Sequence, residues 1–242
     1  MDSILAAPRR SVGGARLRVA ATLAAACLAS CQQSALREPD AVVVDAATGA
    51  AAIYRIDPTA SEIHILVYRA GPFARLGHNH VVAATDPAGQ VRVTADLRES
   101  DFELSIQVAE LAVDASELRQ RYGDAFASTP SEEDIAATRR NMLSPALLDA
   151  TAYPYVRVAG RLSPHPDGNE AEIEIALKNA LARRTVPITL RIDDRTLSAS
   201  GTLTIDHSEL GLTPFSVMLG ALRVAETMEI RFSLTARRAS DG

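Results

Sequence analysis

Alternation with a period of two residues governs most of the chain beyond Ile53. Ile63, Ile65 and Val67 alternate with Glu62, His64 and Leu66. Val91, Val93 and Ala95 alternate with Arg92 and Thr94, and Phe102, Leu104, Ile106 and Val108 alternate with Glu103, Ser105 and Gln107. Val156, Val158 and Leu162 share a parity opposite Arg157 and Arg161, while Ile173, Ile175 and Leu177 stand opposite Glu172, Glu174 and Lys178. Further runs follow at Val186 to Ile192, Leu197 to Ile205 and Met228 to Leu234. Successive side chains of extended backbone point to opposite faces, so each run reads as a strand with one apolar and one wet face. Eight such runs, punctuated by turn sequences such as Asp86-Pro87-Ala88-Gly89 and Pro166-Asp167-Gly168-Asn169, predict an all-β, antiparallel sandwich or barrel.

Two stretches break the rhythm. Between Val113 and Tyr153 alternation stops, and Ser131-Glu132-Glu133-Asp134 has the form of a capping box opening a short helix through about Arg140. Acidic residues in its first turn and Arg139-Arg140 near its end complement the helix dipole. A second helical turn is expected around Pro145 to Ala150, and the whole insertion should cover an opening of the barrel or pack across one edge. The stretch Gly211 to Leu222 is continuously apolar with small residues interspersed. It reads as a strand buried on both sides, compatible with lining an internal cavity where glycines make room for a ligand.

The first 30 residues have another logic. Arg9, Arg10, Arg16 and Arg18 precede an apolar run from Val19 to Leu28, followed by Ala29-Ser30-Cys31. That order is a secretory signal, and Leu28-Ala29-Ser30-Cys31 resembles a bacterial lipobox. The resemblance implies cleavage before Cys31 and acylation of that cysteine, and two or more acyl chains anchor a protein firmly to a bilayer. An uncleaved membrane helix is the alternative, but an apolar run of about ten residues is too short for roughly 30 Å of hydrocarbon. Arg9-Arg10 also raises twin-arginine export, although Ser11-Val12-Gly13 lacks the hydrophobic residues usual after the pair. Residues 32–52 read as a flexible tether, and residues 53–237 as the barrel domain. Gln32 after the cysteine leans toward the outer membrane, with the domain facing the periplasm.

Charge and cysteine use narrow the function classes. Removing residues 1–30, with four Arg and one Asp, takes the 25 basic and 30 acidic residues to a net charge of −8 over 212 residues. Lys178 is the sole lysine and the arginines are scattered, so no basic patch for nucleic acid is readable. Cys27 leaves with the signal and Cys31 would be acylated, so the domain has no thiol, disulfide or cysteine metal ligand. Stability must come from core burial, and with no Trp the core should be aliphatic. An outer-membrane barrel would also alternate, but it needs aromatic girdles, which this chain lacks.

Gly77-His78-Asn79-His80 is the most chemical stretch. Histidines two apart on a strand share a face with Cα atoms about 6.5–7 Å apart, within reach of one metal. His207 is the natural third ligand and His64 a fourth, giving an alternative reading as a metal-binding protein or metal-dependent hydrolase with zinc at His78, His80 and His207. The other reading places these histidines at a barrel mouth, hydrogen-bonded around a ligand's polar end. No G-x-S-x-G elbow or Gly-rich phosphate loop is present, and Asp206-His207-Ser208 are sequence neighbours rather than a triad assembled in space. No catalytic residue is therefore assigned.

Several segments resemble the YceI-like family of exported polyisoprenoid-binding proteins. They are Tyr54-Arg55-Ile56-Asp57-Pro58, Ser61-Glu62-Ile63, Arg140-Asn141-Met142-Leu143 through Leu148-Asp149-Ala150-Thr151-Ala152-Tyr153-Pro154, Thr185-Val186-Pro187-Ile188, Gly211-Leu212-Thr213-Pro214-Phe215, and Glu226 to Ile230. The resemblance implies an antiparallel, lipocalin-like β-barrel of about eight strands with a short helical insertion, holding an apolar polyisoprenoid or quinone-like lipid. Its expected lining includes Phe102, Met142, Phe215, Met218 and Phe232, with His78 and His80 near the ligand. The His-x-His segment and the enlarged insertion depart from the family pattern and leave the head group open, as quinone or prenyl phosphate. A purely structural envelope lipoprotein with a filled barrel is a further alternative.

Overall fold

The computed structural model describes residues 51–166 and 168–239. The signal segment, Cys31 and most of the tether lie outside the described residues. Among the described residues twelve strands run in chain order: β1 (Ala52–Ile56), β2 (Glu62–Ala70), β3 (His80–Ala84), β4 (Ala88–Val93), β5 (Asp101–Gln107), β6 (Leu111–Val113), β7 (Tyr155–His165), β8 (Gly168–Leu177), β9 (Ala180–Ile192), β10 (Thr196–Asp206), β11 (Ser216–Val217) and β12 (Leu222–Arg238). Two helices, α1 (Ser116–Arg121) and α2 (Glu132–Leu143), fall between β6 and β7.

All pairings are antiparallel, and they close. From β1 the circuit passes through β4, β5, β7, β8, β9, β10 and β12, and β12 returns to β1 through Tyr54↔Arg238 and Ile56↔Ala236. The result is an eight-stranded barrel whose neighbours in space are largely neighbours in sequence. Three of its walls are bent strands. β1 and β2 lie end to end along β12, β3 follows β4's line on the next wall, and β6 continues β5 after a single 3₁₀ turn at Val108–Glu110. Beyond β6 the wall is not completed by β7, and the α1–α2 insertion occupies the chain there.

The eight alternating runs fall on observed strands with the apolar parity turned inward, except at their ends: Ala95, beyond β4, and Ile192 are exposed, Thr94 is buried, and Val108 sits in a 3₁₀ turn. Leu104, Ile173, Ile175, Val186, Leu203 and Met228 are each under 10 % exposed and belong to one continuous core. A smaller core of Tyr54, Val91, Leu197 and Ala236 packs where β1 meets the end of β12, and Tyr54 Oη donates to the Asp193 carbonyl at 2.8 Å. Among the described residues no helix is long and apolar enough to cross a membrane.

The insertion does two jobs. Its first half covers the outer face of β2 and β3, burying Leu66, Val81, Leu118 and Phe126 together. Leu66, expected on a wet face, is thus completely buried. Its second half is α2, opened by the expected capping box: Ser131 Oγ accepts the Asp134 N–H at 3.1 Å, and the Asp134 carboxylate accepts the Ser131 N–H. The second helical turn expected around Pro145 to Ala150 is instead a set of tight turns, in which Ser144 O accepts from Leu147 and Asp149 N–H.

The segment Gly211 to Leu222 corrects a second expectation. It is no strand buried on both sides: only Ser216–Val217 pair with β12, and Phe215, Met218 and Leu219 are exposed. Gly160 shows how the wall accommodates aromatic side chains. It faces Phe102 across β5–β7, and a Cβ there would lie 2.6 Å from Phe102 Cζ and 2.0 Å from the Glu172 carbonyl oxygen. The second clash is with backbone, so Gly160→Ala must part β7 from β8. We expect it to cost about 3 kcal/mol or more, within the range for overpacking, as a fall in the urea midpoint; an unchanged midpoint would show that the strands separate freely.

Candidate functional site

The barrel encloses a cavity of about 520 Å³. Its wall is the inward parity of nearly every strand, including Ile63, Ile65, Val82, Leu104, Ile106, Val158, Ile173, Ile175, Leu203 and Ile230. Pockets for small apolar ligands span roughly 300–1,000 Å³ with a few polar groups fixing orientation. Of the lining residues expected from the sequence, Phe102, Met142, Phe215 and Phe232 do face the cavity. Met142 arrives on α2, with Ala137, Thr138 and Asn141, so the insertion forms part of the wall. Met218 does not line it: the 3₁₀ turn at Met218–Gly220 carries it outward, 59 % exposed.

His78, His80 and His207 all reach the cavity wall, but they do not converge. Among the described residues the potential metal ligands that come within 4.8 Å of one another are His78, His80 and Asp114. Asp114 takes the place expected of His207. The His207 Nδ1–H donates to the Glu226 carbonyl at 2.7 Å, since a carbonyl can only accept. His64 lies on the opposite face of β2, its Nδ1 2.8 Å from Tyr122 Oη, and takes no part. Nothing in the local sequence marks Asp114. It is the residue at the end of β6, held at φ +55°, and only the β3–β6 pairing sets it beside His80.

Asp114 is a buried hub. One oxygen, Oδ1, accepts the Val81 N–H at 2.9 Å and a hydrogen bond from Arg119; the other, Oδ2, is 2.6 Å from His80 Nδ1. Arg119 is itself buried and donates to the Asn79 carbonyl at 2.7 Å and the Ser128 carbonyl at 2.9 Å. Asn79 ties the same loop further, its Oδ1 accepting the Arg69 N–H and its Nδ2 donating to Ala125 O. The His78-Asn79-His80 backbone is therefore fixed from behind. Burial alone would raise the Asp114 carboxyl, but hydrogen bonds from His80 and Val81 and the charge of Arg119 hold it below the usual carboxylate range.

This arrangement orients imidazoles. With Nδ1–H directed at Asp114, His80 presents Nε2 as an acceptor, while the His78 ring lies edge-on to it with centroids 4.5 Å apart. Burial holds the His78 imidazole below its ordinary pKa. Its Nε2 is buried without a hydrogen-bond partner. Both Asp114 oxygens are already engaged, one of them by a guanidinium. A zinc site draws on three protein ligands, and two imidazoles remain. The geometry favours a polar handle for one end of an otherwise apolar ligand, since a buried unpaired nitrogen gains from any group that satisfies it.

Comparison with known proteins agrees with this architecture. Among curated proteins none matches the chain in sequence. The crystal structure of Burkholderia cenocepacia BcnA superposes with a TM-score of 0.56 at 16 % identity, covering 75 % of this chain and 99 % of that one. The Campylobacter jejuni YCEI protein superposes with a TM-score of 0.46 at 9 % identity, over 66 % of this chain and 85 % of that one. The sequence pattern of the YceI-like domain matches residues 54–236, from Tyr54 of the first barrel strand to Ala236 of the last, and the chain belongs to that family.

Proposed function

We propose that the protein binds a single apolar lipid, a polyisoprenoid or a quinone-like molecule, inside the barrel and performs no catalysis. The observation that carries this is the 520 Å³ cavity walled by aliphatic side chains with His78 and His80 at its wall. Each buried prenyl unit gains on the order of 25 cal/mol per Å² of apolar surface, so the tail supplies affinity. The histidines supply orientation: a head-group carbonyl accepts from His78 Nε2–H, and a hydroxyl donates to His80 Nε2. Acylation at Cys31, which lies outside the described residues, would hold the domain against the envelope, facing the periplasm from the outer membrane.

The deciding measurement is native mass spectrometry of the full chain purified from envelopes without lipid stripping, followed by solvent extraction. The expected result is a retained mass released as an apolar lipid. Protein that yields no lipid, yet holds stoichiometric zinc lost in a His78→Ala variant, would overturn the reading in favour of a metal site.

A further inference from the structure

The apolar surface of this domain is concentrated at one end of the barrel. Two loops meet there, the β2–β3 connection and the segment before β12. The Phe73 N–H donates to the Ala221 carbonyl at 2.8 Å. Gly71, at φ +94°, lets the loops touch, for a Cβ would lie 2.5 Å from the Ala221 carbonyl oxygen and 2.8 Å from that of Gly220. Together they display Phe73, Leu76, Phe215, Met218 and Leu219, five of the eight exposed large hydrophobic residues among those described. Met218 and Leu219 adopt left-handed backbone at φ +53° and +55°, a conformation L side chains rarely take. The strained turn pushes Leu219 wholly into solvent.

The two segments that build this tip carry charge of one sign. Residues 63–85 and 210–225 contain no Asp or Glu in a chain whose net charge is −5, but they carry Arg69, Arg75 and Arg223. Arg69 and Arg223 donate to the loop carbonyls of Gly77 and Gly220, and none of the three pairs with a carboxylate among the described residues. Phe215 also lines the cavity, and His78 follows the loop directly, so the tip stands at the cavity's mouth.

We propose that this tip is a membrane-docking element that inserts Phe73, Leu76, Met218 and Leu219 into the surface of an anionic phospholipid bilayer, with Arg69, Arg75 and Arg223 on the lipid phosphates. Apolar side chains carried on the same loops as unpaired cations are what an interfacial site requires, because burial and attraction to anionic lipid act together. A protein partner or a second copy would need a comparably acidic, concave face, whereas the bilayer meets a convex tip without one. The inference concerns the tip alone and stands whether or not the cavity holds a lipid.

The chain has no Trp, so a single introduced one reports its own position. In the full chain, Leu219→Trp should show a blue-shifted emission on phosphatidylglycerol vesicles and quenching by brominated acyl chains. Asp194→Trp, in the β9–β10 turn at the opposite end of the barrel, should show neither. Arg75→Gln with Arg223→Gln in the Leu219→Trp background should weaken vesicle binding by about thirtyfold, from the usual gain per basic residue at an anionic surface. Equal quenching at both reporter positions, or none at Leu219→Trp, would overturn the proposal. So would a blue shift without vesicles, since one that depends on protein concentration indicates a second copy and one that does not indicates coverage by the chain's own N-terminal segment.

Discussion

Asp114→Ala will lose about 3–5 kcal/mol of folding stability, the cost of stripping one partner from a buried ion pair. Arg119 would be left charged and buried, 5 % exposed at its side chain, with only neutral acceptors at Asn79 and Ser128. The Val81 N–H would lose its partner as well. Part of the loss is backbone, because alanine at φ +55° is strained whereas Asp and Asn tolerate that region. Asp114→Asn separates the two effects: it keeps the turn and one acceptor but removes the charge, and should fall between wild type and alanine in urea denaturation. The pH dependence carries the same signature. A carboxyl held below its unfolded value of about 3.9 gives stability that is complete above that pH and disappears as pH falls through the folded value. Wild type should therefore lose stability more steeply below about pH 4 than Asp114→Asn does. An Asp114→Ala protein within about 0.5 kcal/mol of wild type, the size of an ordinary surface substitution, would show that Arg119 finds solvent when its partner is gone.

That hub was invisible in the sequence, and the reason is physical. His78 and His80 are legible as a pair because two-residue spacing is local. Asp114 reaches them only through β3–β6 pairing across a separation of 34 residues, just after a strand three residues long. The long walls were legible because one face is buried and one is wet, as at Leu104 against Glu103. Where the insertion covers the outside of β2 and β3, both faces are buried at Leu66 and Val81, and the alternation that marks a strand edge is lost. His80–Ala84 is unmarked for that cause, and Leu111–Val113 because three residues are too few to show a period. Gly211 to Leu222 failed in the opposite sense. Continuous apolarity reads as interior, and nothing in composition separates a segment covered by protein from one held out at a tip.

The alternation itself supplies the sharpest test of the cavity. Ala199 lines it from β10, facing Leu190 on β9 and Leu234 on β12 across the wall. Its neighbour Ser200 points the other way and pairs with Thr189, which is exposed. Ala199→Trp therefore places an indole where a ligand tail would run, and Thr189→Trp places the same indole outside one strand away. Retention of an apolar fluorescent probe such as a prenyl-chain analogue should fall at least tenfold for the first, equal to about 1.4 kcal/mol, and stay unchanged for the second. Stability should move by no more than about 1–3 kcal/mol, because the added ring enters space rather than packed atoms. Unaltered retention in Ala199→Trp would mean that the ligand does not occupy the barrel, while loss of fold would mean that the wall at Ala199 is packed solid. Because inner and outer positions differ by one residue, any general effect of the indole on the sheet appears in both variants, and the difference between them isolates occupancy of the interior.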